Sequence, residues 1–148
     1  MATTQGTGIT GCSTYLKTIL IPSLTTLRVT NIFDNELTDL AGYPSATITV
    51  NNLKGKMLDN ARNERHYEFI IRIFIDRNKQ NFGSSKAETI LRTLADEFIT
   101  KVDSDPTFGN NCVDSKPSDA RFGYVNRQNQ NIRMMEVTID CVDVVTWR

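Results

Sequence analysis

ERHYEFIIRIFID, residues Glu64–Asp76, decides the fold. Tyr67, Phe69, Ile71, Ile73 and Ile75 recur at every second position, the period that places side chains on one face of a β-strand. Ile70 and Phe74 add apolar bulk to the other face, between Glu68 and Arg72. A strand apolar on both faces is central in its sheet or is covered by a second subunit. Downstream, the period changes. Ala87, Ile90, Leu91, Leu94, Ala95, Phe98, Ile99 and Val102 follow three- and four-residue steps, which predicts one amphipathic helix over Lys86–Val102. Ser85 and Glu88 stand at capping-box spacing before it, and Asp103–Pro106 stops it.

The period of two then returns. In MMEVTIDCVDVV (Met134–Val145), Met135, Val137, Ile139 and Cys141 alternate with Glu136, Thr138 and Asp140. Asn126–Asn131 (NRQNQN) reads as a hairpin connection from RFGYV (Arg121–Val125) into that strand. Upstream of the deciding stretch, SATITV (Ser45–Val50) predicts a half-buried strand, and Val29–Glu36 a short one. Asn51–Asn63 is polar, contains Gly55 and keeps no apolar period, so residues 51–63 are expected to form an exposed loop. Leu16, Ile19, Leu20, Leu24 and Leu27 predict a helix over Ser13–Arg28, kinked at Pro22. Residues 1–10, uncharged and rich in Thr and Gly, read as a flexible arm. The predicted fold is a single α+β domain spanning 1–148: a mainly antiparallel mixed sheet with an N-terminal helix and one central amphipathic helix packed on it.

Composition narrows function by exclusion. At 148 residues the chain suits one domain with a proper core. Lys+Arg and Asp+Glu are both 17, which argues against a dedicated polycationic nucleic-acid binder. No stretch has the apolar length of a membrane span, and no basic n-region precedes an apolar run, so production in a cytosol is expected. Cys12, Cys112 and Cys141 have no C-x-x-C spacing and read as buried thiols, with Cys141 in phase with the inward face of its strand.

Candidate chemistry is thin. His66 is the sole histidine and lies near a strand start, where a surface role outweighs acid–base work; nothing in the sequence brings Cys112 or Cys141 to it. Asp103 and Asp105 lack the companions of a calcium loop. Phe122-Gly123-Tyr124-Val125 covers the middle of the RNA-recognition strand motif, but Ala120, Arg121 and Arg127 depart from its flanks. Lys54, Lys56, Arg62, Arg65, Arg72, Arg77 and Lys79 cluster in sequence against Asp59, Glu64, Glu68 and Asp76, a pattern of a solvated face or of contact with an acidic partner or DNA phosphates. No catalytic, cofactor or metal motif is found, and an enzyme is not expected.

The stretches YPSATITV, NERHYEFIIRIFID, AETILRTLADEFITKV, DSDPTFG, RFGYV and MEVTIDCVDVV, in this order over Tyr43–Val145, resemble the tail terminator (tail completion, neck) proteins of long-tailed double-stranded DNA bacteriophages. The order, and the aromatic-rich strand after N-E-R, carry the resemblance more than any single motif. It implies a non-enzymatic virion subunit, made in the host cytoplasm, that forms a hexameric ring. The ring would cap the tail tube, stop its polymerisation, join the tail to the head-completion (connector) protein and pass genomic DNA through its lumen. Another connector, neck or tube-like subunit is the alternative, followed by a small nucleic-acid-binding module. Arg72, Phe74, Phe82, Phe122 and Tyr124 are the expected subunit-contact residues, since aromatics and Arg are enriched in interface cores. Lys54, Lys56 and Arg62 are expected in a partner-docking loop.

Overall fold

The deciding stretch is the central strand. In the computed structural model, β4 (Arg62–Asp76) pairs antiparallel with β3 (Ser45–Met57) on one edge and β6 (Gln130–Trp147) on the other. Residues 2–4, 8–29, 31–34, 44–59, 61–76, 84–127 and 130–147 are described. β2 (Asn31–Phe33) adds to β3 in parallel, and β5 (Asp114–Arg127) forms an antiparallel hairpin with β6. β1 (Ala2–Thr4) pairs with β6 at residues 145–147, beyond the reach of β5, so it continues the same edge. Among the described residues the sheet has six strands, mixed and mainly antiparallel. The fold is α+β.

Register explains the core. Directly paired residues share a face, and Ala46–Ile73–Met135 and Ile48–Ile71–Val137 form continuous apolar rows across three strands. Tyr67, Phe69, Ile71, Ile73 and Ile75 are all buried on this face, as the period predicts. α2 (Ser84–Ser104) covers it with Leu91, Leu94, Ala95, Phe98 and Val102. Burial is worth roughly 1.5–3 kcal/mol for a side chain the size of Phe98, and this face collects most of that gain.

The second cover is α1 (Gly8–Tyr15), which runs on through a wide turn, Leu16–Leu20, into a tight one, Ile21–Ser23. The helix therefore begins and ends earlier than expected. In the wide turn the Ile21 amide donates to the Leu16 carbonyl five residues back. That brings Ile21 to the buried side and leaves Ile19 exposed, reversing the expectation for Ile19. Pro22 sits at the start of the tight turn, where its missing N–H costs nothing. Glu97 of α2 fastens the chain just beyond that turn: its carboxylate accepts the Thr25 and Thr26 amides, at 2.7 and 3.2 Å, and the Thr25 hydroxyl.

Two further expectations are corrected. Within the predicted flexible arm, Ala2–Thr4 is paired strand and Gly8–Thr10 is helix. The predicted loop 51–63 is exposed but is mostly strand: β3 runs to Met57 and β4 starts at Arg62. A bulge between Val50 and Asn52 hides the alternation, because it moves the inward-type positions from even numbers (Ala46, Ile48, Val50) to odd ones (Leu53, Gly55, Met57). The hairpin tip is locked by Asp59, whose Oδ1 accepts the Ala61 and Arg62 amides, each at 2.8 Å. Those donors and the Arg62 guanidinium hold its carboxyl below the usual range.

Candidate functional site

The two helices do not reach the end of the sheet formed by the β3–β4 hairpin. There, among the described residues, the core-side face continues beyond the helices, with Leu53, Gly55 and Met57 of β3 opposite Tyr67, Arg65 and Asn63 of β4. Val50, Leu53 and Met57 are 43%, 52% and 77% exposed, and Leu58 beside them is also exposed. Scattered exposed hydrophobes are ordinary, whereas these are continuous with the core, which makes the row the candidate contact surface of the chain. Among the described residues β3 is also an edge strand beyond Thr47, where β2 ends. Lys54 and Lys56 flank that edge, an arrangement that discourages indiscriminate strand pairing.

The predicted contact residues do not form one patch. Arg72 and Phe74 lie on the sheet face away from the helices, whereas Phe122 and Tyr124 pair with Met135 and Arg133 on the helix side of the edge strand β5. Phe74 is buried, which corrects its expected exposure, and Arg72 is half-buried and ion-paired to Glu136 at 3.4 Å. Phe122 is exposed. Tyr124 is 61% exposed, with the Arg133 guanidinium 4.3 Å from its ring centroid. Arg133 is itself held by Glu88 and by the Gly123 carbonyl at 2.9 Å, so the Tyr124 ring stands on a fixed cation. Phe82, Arg77, Lys79, the side chain of Ser85 and residues 30, 35 and 36 of the predicted short strand lie outside the described residues.

The docking-loop candidates are strand residues. Lys54 and Lys56 stand opposite His66 and Glu64 on the face away from the helices, and Arg62 bridges Asp59 at 2.8 Å. A cleft of about 220 Å³ opens there between Asn52, Lys54, His66, Glu68 and Asp140. Small-molecule sites usually occupy roughly 300–1,000 Å³, so its volume suits an ion-paired surface better than a ligand. His66 contacts Glu64 and faces away from Cys141, whose cross-strand partner is Tyr67, so the conceivable Cys–His pair is split by the sheet. Asp105 ends α2 structurally: it accepts the Tyr15 hydroxyl at 2.9 Å, the Thr107 hydroxyl at 3.1 Å and the Gly109 amide at 3.0 Å.

One juxtaposition has no signature in the sequence. Cys12 on α1, Cys112 before β5 and Cys141 on β6 converge, their sulfurs all within 4.8 Å of one another, each a buried free thiol. Hydrogen bonds from Cys112 and Cys141 pull the Cys12 thiol down, while the same bonds push Cys112 and Cys141 up, with burial adding to the rise. The three titrations are thus linked, and charge on one sulfur disfavours charge on the others. Their burial as free thiols and the phase of Cys141 were legible in the sequence; their convergence was not, because separations of 100 and 29 positions carry no local signal.

No protein-family model matches the chain, and no curated protein matches it. Among solved structures the chain is similar to one titled "Virion of native gene transfer agent (GTA) particle", with 14% identity over 88% of this chain and 89% of that chain and a TM-score of 0.45. A likeness at that level carries no argument about role.

Proposed function

We propose that this chain is a non-enzymatic virion subunit, and more specifically a tail terminator that closes into a ring on the end of a tail tube. The observation that carries the reading is the Val50–Leu53–Met57 row, a continuation of the core face that the chain's own helices leave bare. A neighbouring copy can cover it with a different part of its own surface. Repeated head-to-tail, such contacts close into a ring when the rotation permits. The aromatic pair Phe122 and Tyr124 on the opposite edge of the sheet, β5, is a second exposed surface suited to such a heterologous contact. The resemblance of Tyr43–Val145 to tail terminators supplies the finer terms: six copies, the tail tube and the head-completion protein as partners, and genomic DNA in the lumen.

The test is the solution mass of the full chain over a concentration series, with imaging of any assembly. A ring of six, or monomers that close into one when tail tubes are added, supports the reading. A monomer at all concentrations that ignores tubes overturns it; steeply salt-dependent retention on DNA would move the assignment to a nucleic-acid-binding module.

A further inference from the structure

We propose that Cys12, Cys112 and Cys141 form a metal site for one soft cation bound through three thiolates. The sulfurs lie within 4.8 Å of one another. A metal held about 2.3 Å from each sulfur places them roughly 3.8–4.0 Å apart, so the three need contract only slightly, within rotamer and loop adjustment. All three ligands are sulfur, and thiolate sets select zinc(II) and copper(I) over hard cations such as calcium or magnesium. As thiols, Cys12 and Cys112 sit 3.6 Å from the Asn111 and Pro106 carbonyls, long contacts that a metal–sulfur bond readily replaces.

The elements around the cluster converge on it. Cys141 is fixed on β6 between Tyr67 of β4 and Ser115 of β5. Cys12 is fixed on α1, one turn before Tyr15, whose ring stacks on Phe108 at 5.0 Å. Cys112 arrives through a turn with three successive left-handed residues, Phe108, Gly109 and Asn110. Such a run is costly for L-residues, and it returns the chain so that the Cys112 amide bonds the Thr107 carbonyl at 3.0 Å. Strain is therefore concentrated where the third sulfur is delivered.

Binding needs all three sulfurs as thiolates, so any thiol proton still held passes to solvent, and the site is left with a net charge of about −1 with zinc(II) or −2 with copper(I). Burial beside Asp143, which lies on the same face of β6 and whose charge acts on Cys12, favours the smaller residual charge and hence zinc. Three-fold coordination favours copper. The shared chemistry is the thiolate trio, and titration separates the two ions.

The experiment uses the full chain, reduced and stripped of metal without oxygen, then titrated with cobalt(II), zinc(II) and copper(I). The expected result is uptake of one equivalent per chain with a raised melting temperature. Thiolate-to-cobalt charge-transfer absorption displaced by zinc assigns zinc; uptake of copper(I) alone assigns copper. Cys112→Ser, at the end of the exposed-side turn, should keep the fold by circular dichroism and lose stoichiometric uptake, and Cys12→Ser should do the same. Failure of the wild-type chain to take up any of the three ions, or intact mass showing a disulfide among these cysteines in freshly isolated protein, overturns the proposal.

Discussion

Replacing Leu53 and Met57 together by Asn tests the proposed assembly surface without touching the core. Burying a Leu or Met side chain fully is worth about 1.5–3 kcal/mol, and these two are 52% and 77% exposed, so covering them in an interface contributes roughly 2–4 kcal/mol per contact. At 1.4 kcal/mol per tenfold, the double substitution weakens each contact about 30- to 700-fold. Sedimentation over a concentration series should show the ring midpoint displaced upward by at least that factor, because every subunit in a ring makes the contact. The monomer itself should be almost unaffected, within about 0.5 kcal/mol by denaturant titration, since both side chains already face solvent. Assembly at the wild-type concentration, with the fold intact, would rule this row out as the interface.

The packing sets three further expected outcomes. Tyr15 has its hydroxyl pushed up to about 12 by burial and by its bond to Asp105, above the unfolded value near 10; its contribution is complete below pH ~10 and is lost as pH rises through ~12. Thermal melts of Tyr15→Phe should therefore decline less steeply across that window, though not flatten, because Tyr67 is raised as well. Gly109→Ala places a side chain on a residue at φ +63° and 3.4 Å from the Tyr15 ring, and should cost about 1–2 kcal/mol in urea unfolding. Burial pushes the Glu97 carboxyl up, but the Thr25 and Thr26 donors and Lys101 outweigh it and hold it below the usual range; its stabilisation is present above the unfolded pKa and lost as pH falls through the folded one. Glu97→Ala should lower stability at neutral pH by about 1–2 kcal/mol, with the deficit narrowing in acid.

Where local period and tertiary packing agreed, the sequence could be read directly. The inward rows of Glu64–Asp76 and Met134–Val145 and the apolar face of α2 needed no knowledge of their neighbours. Misreadings arose where one inserted residue or one wide turn shifts the phase. The bulge after Val50 turned the alternating Leu53, Gly55 and Met57 into an apparent loop. The turn spanning Leu16–Leu20 exchanged Ile19 for Ile21. A second bulge, between Pro117 and Asp119, splits β5 and left RFGYV as its one visible fragment. Aromatic and Arg content suggested Arg72, Phe74, Phe82, Phe122 and Tyr124 as contact residues, but composition does not say on which side of a sheet a strand's odd and even positions fall relative to another strand's. The exposed apolar row at the β3–β4 end and the thiol trio both depend on long-range register, which no local window contains.

A terminator acts by closing a ring on the end of a tail tube. The most direct measurement is the length distribution of polymerising tail tubes, by electron microscopy, with the chain added at increasing ratios to tube protein. Progressively shorter tubes are expected, each bearing a ring of this subunit at one end, with loss of that effect on Leu53→Asn/Met57→Asn. Tube lengths unchanged at saturating protein, with no density at either end, would contradict that role for this chain.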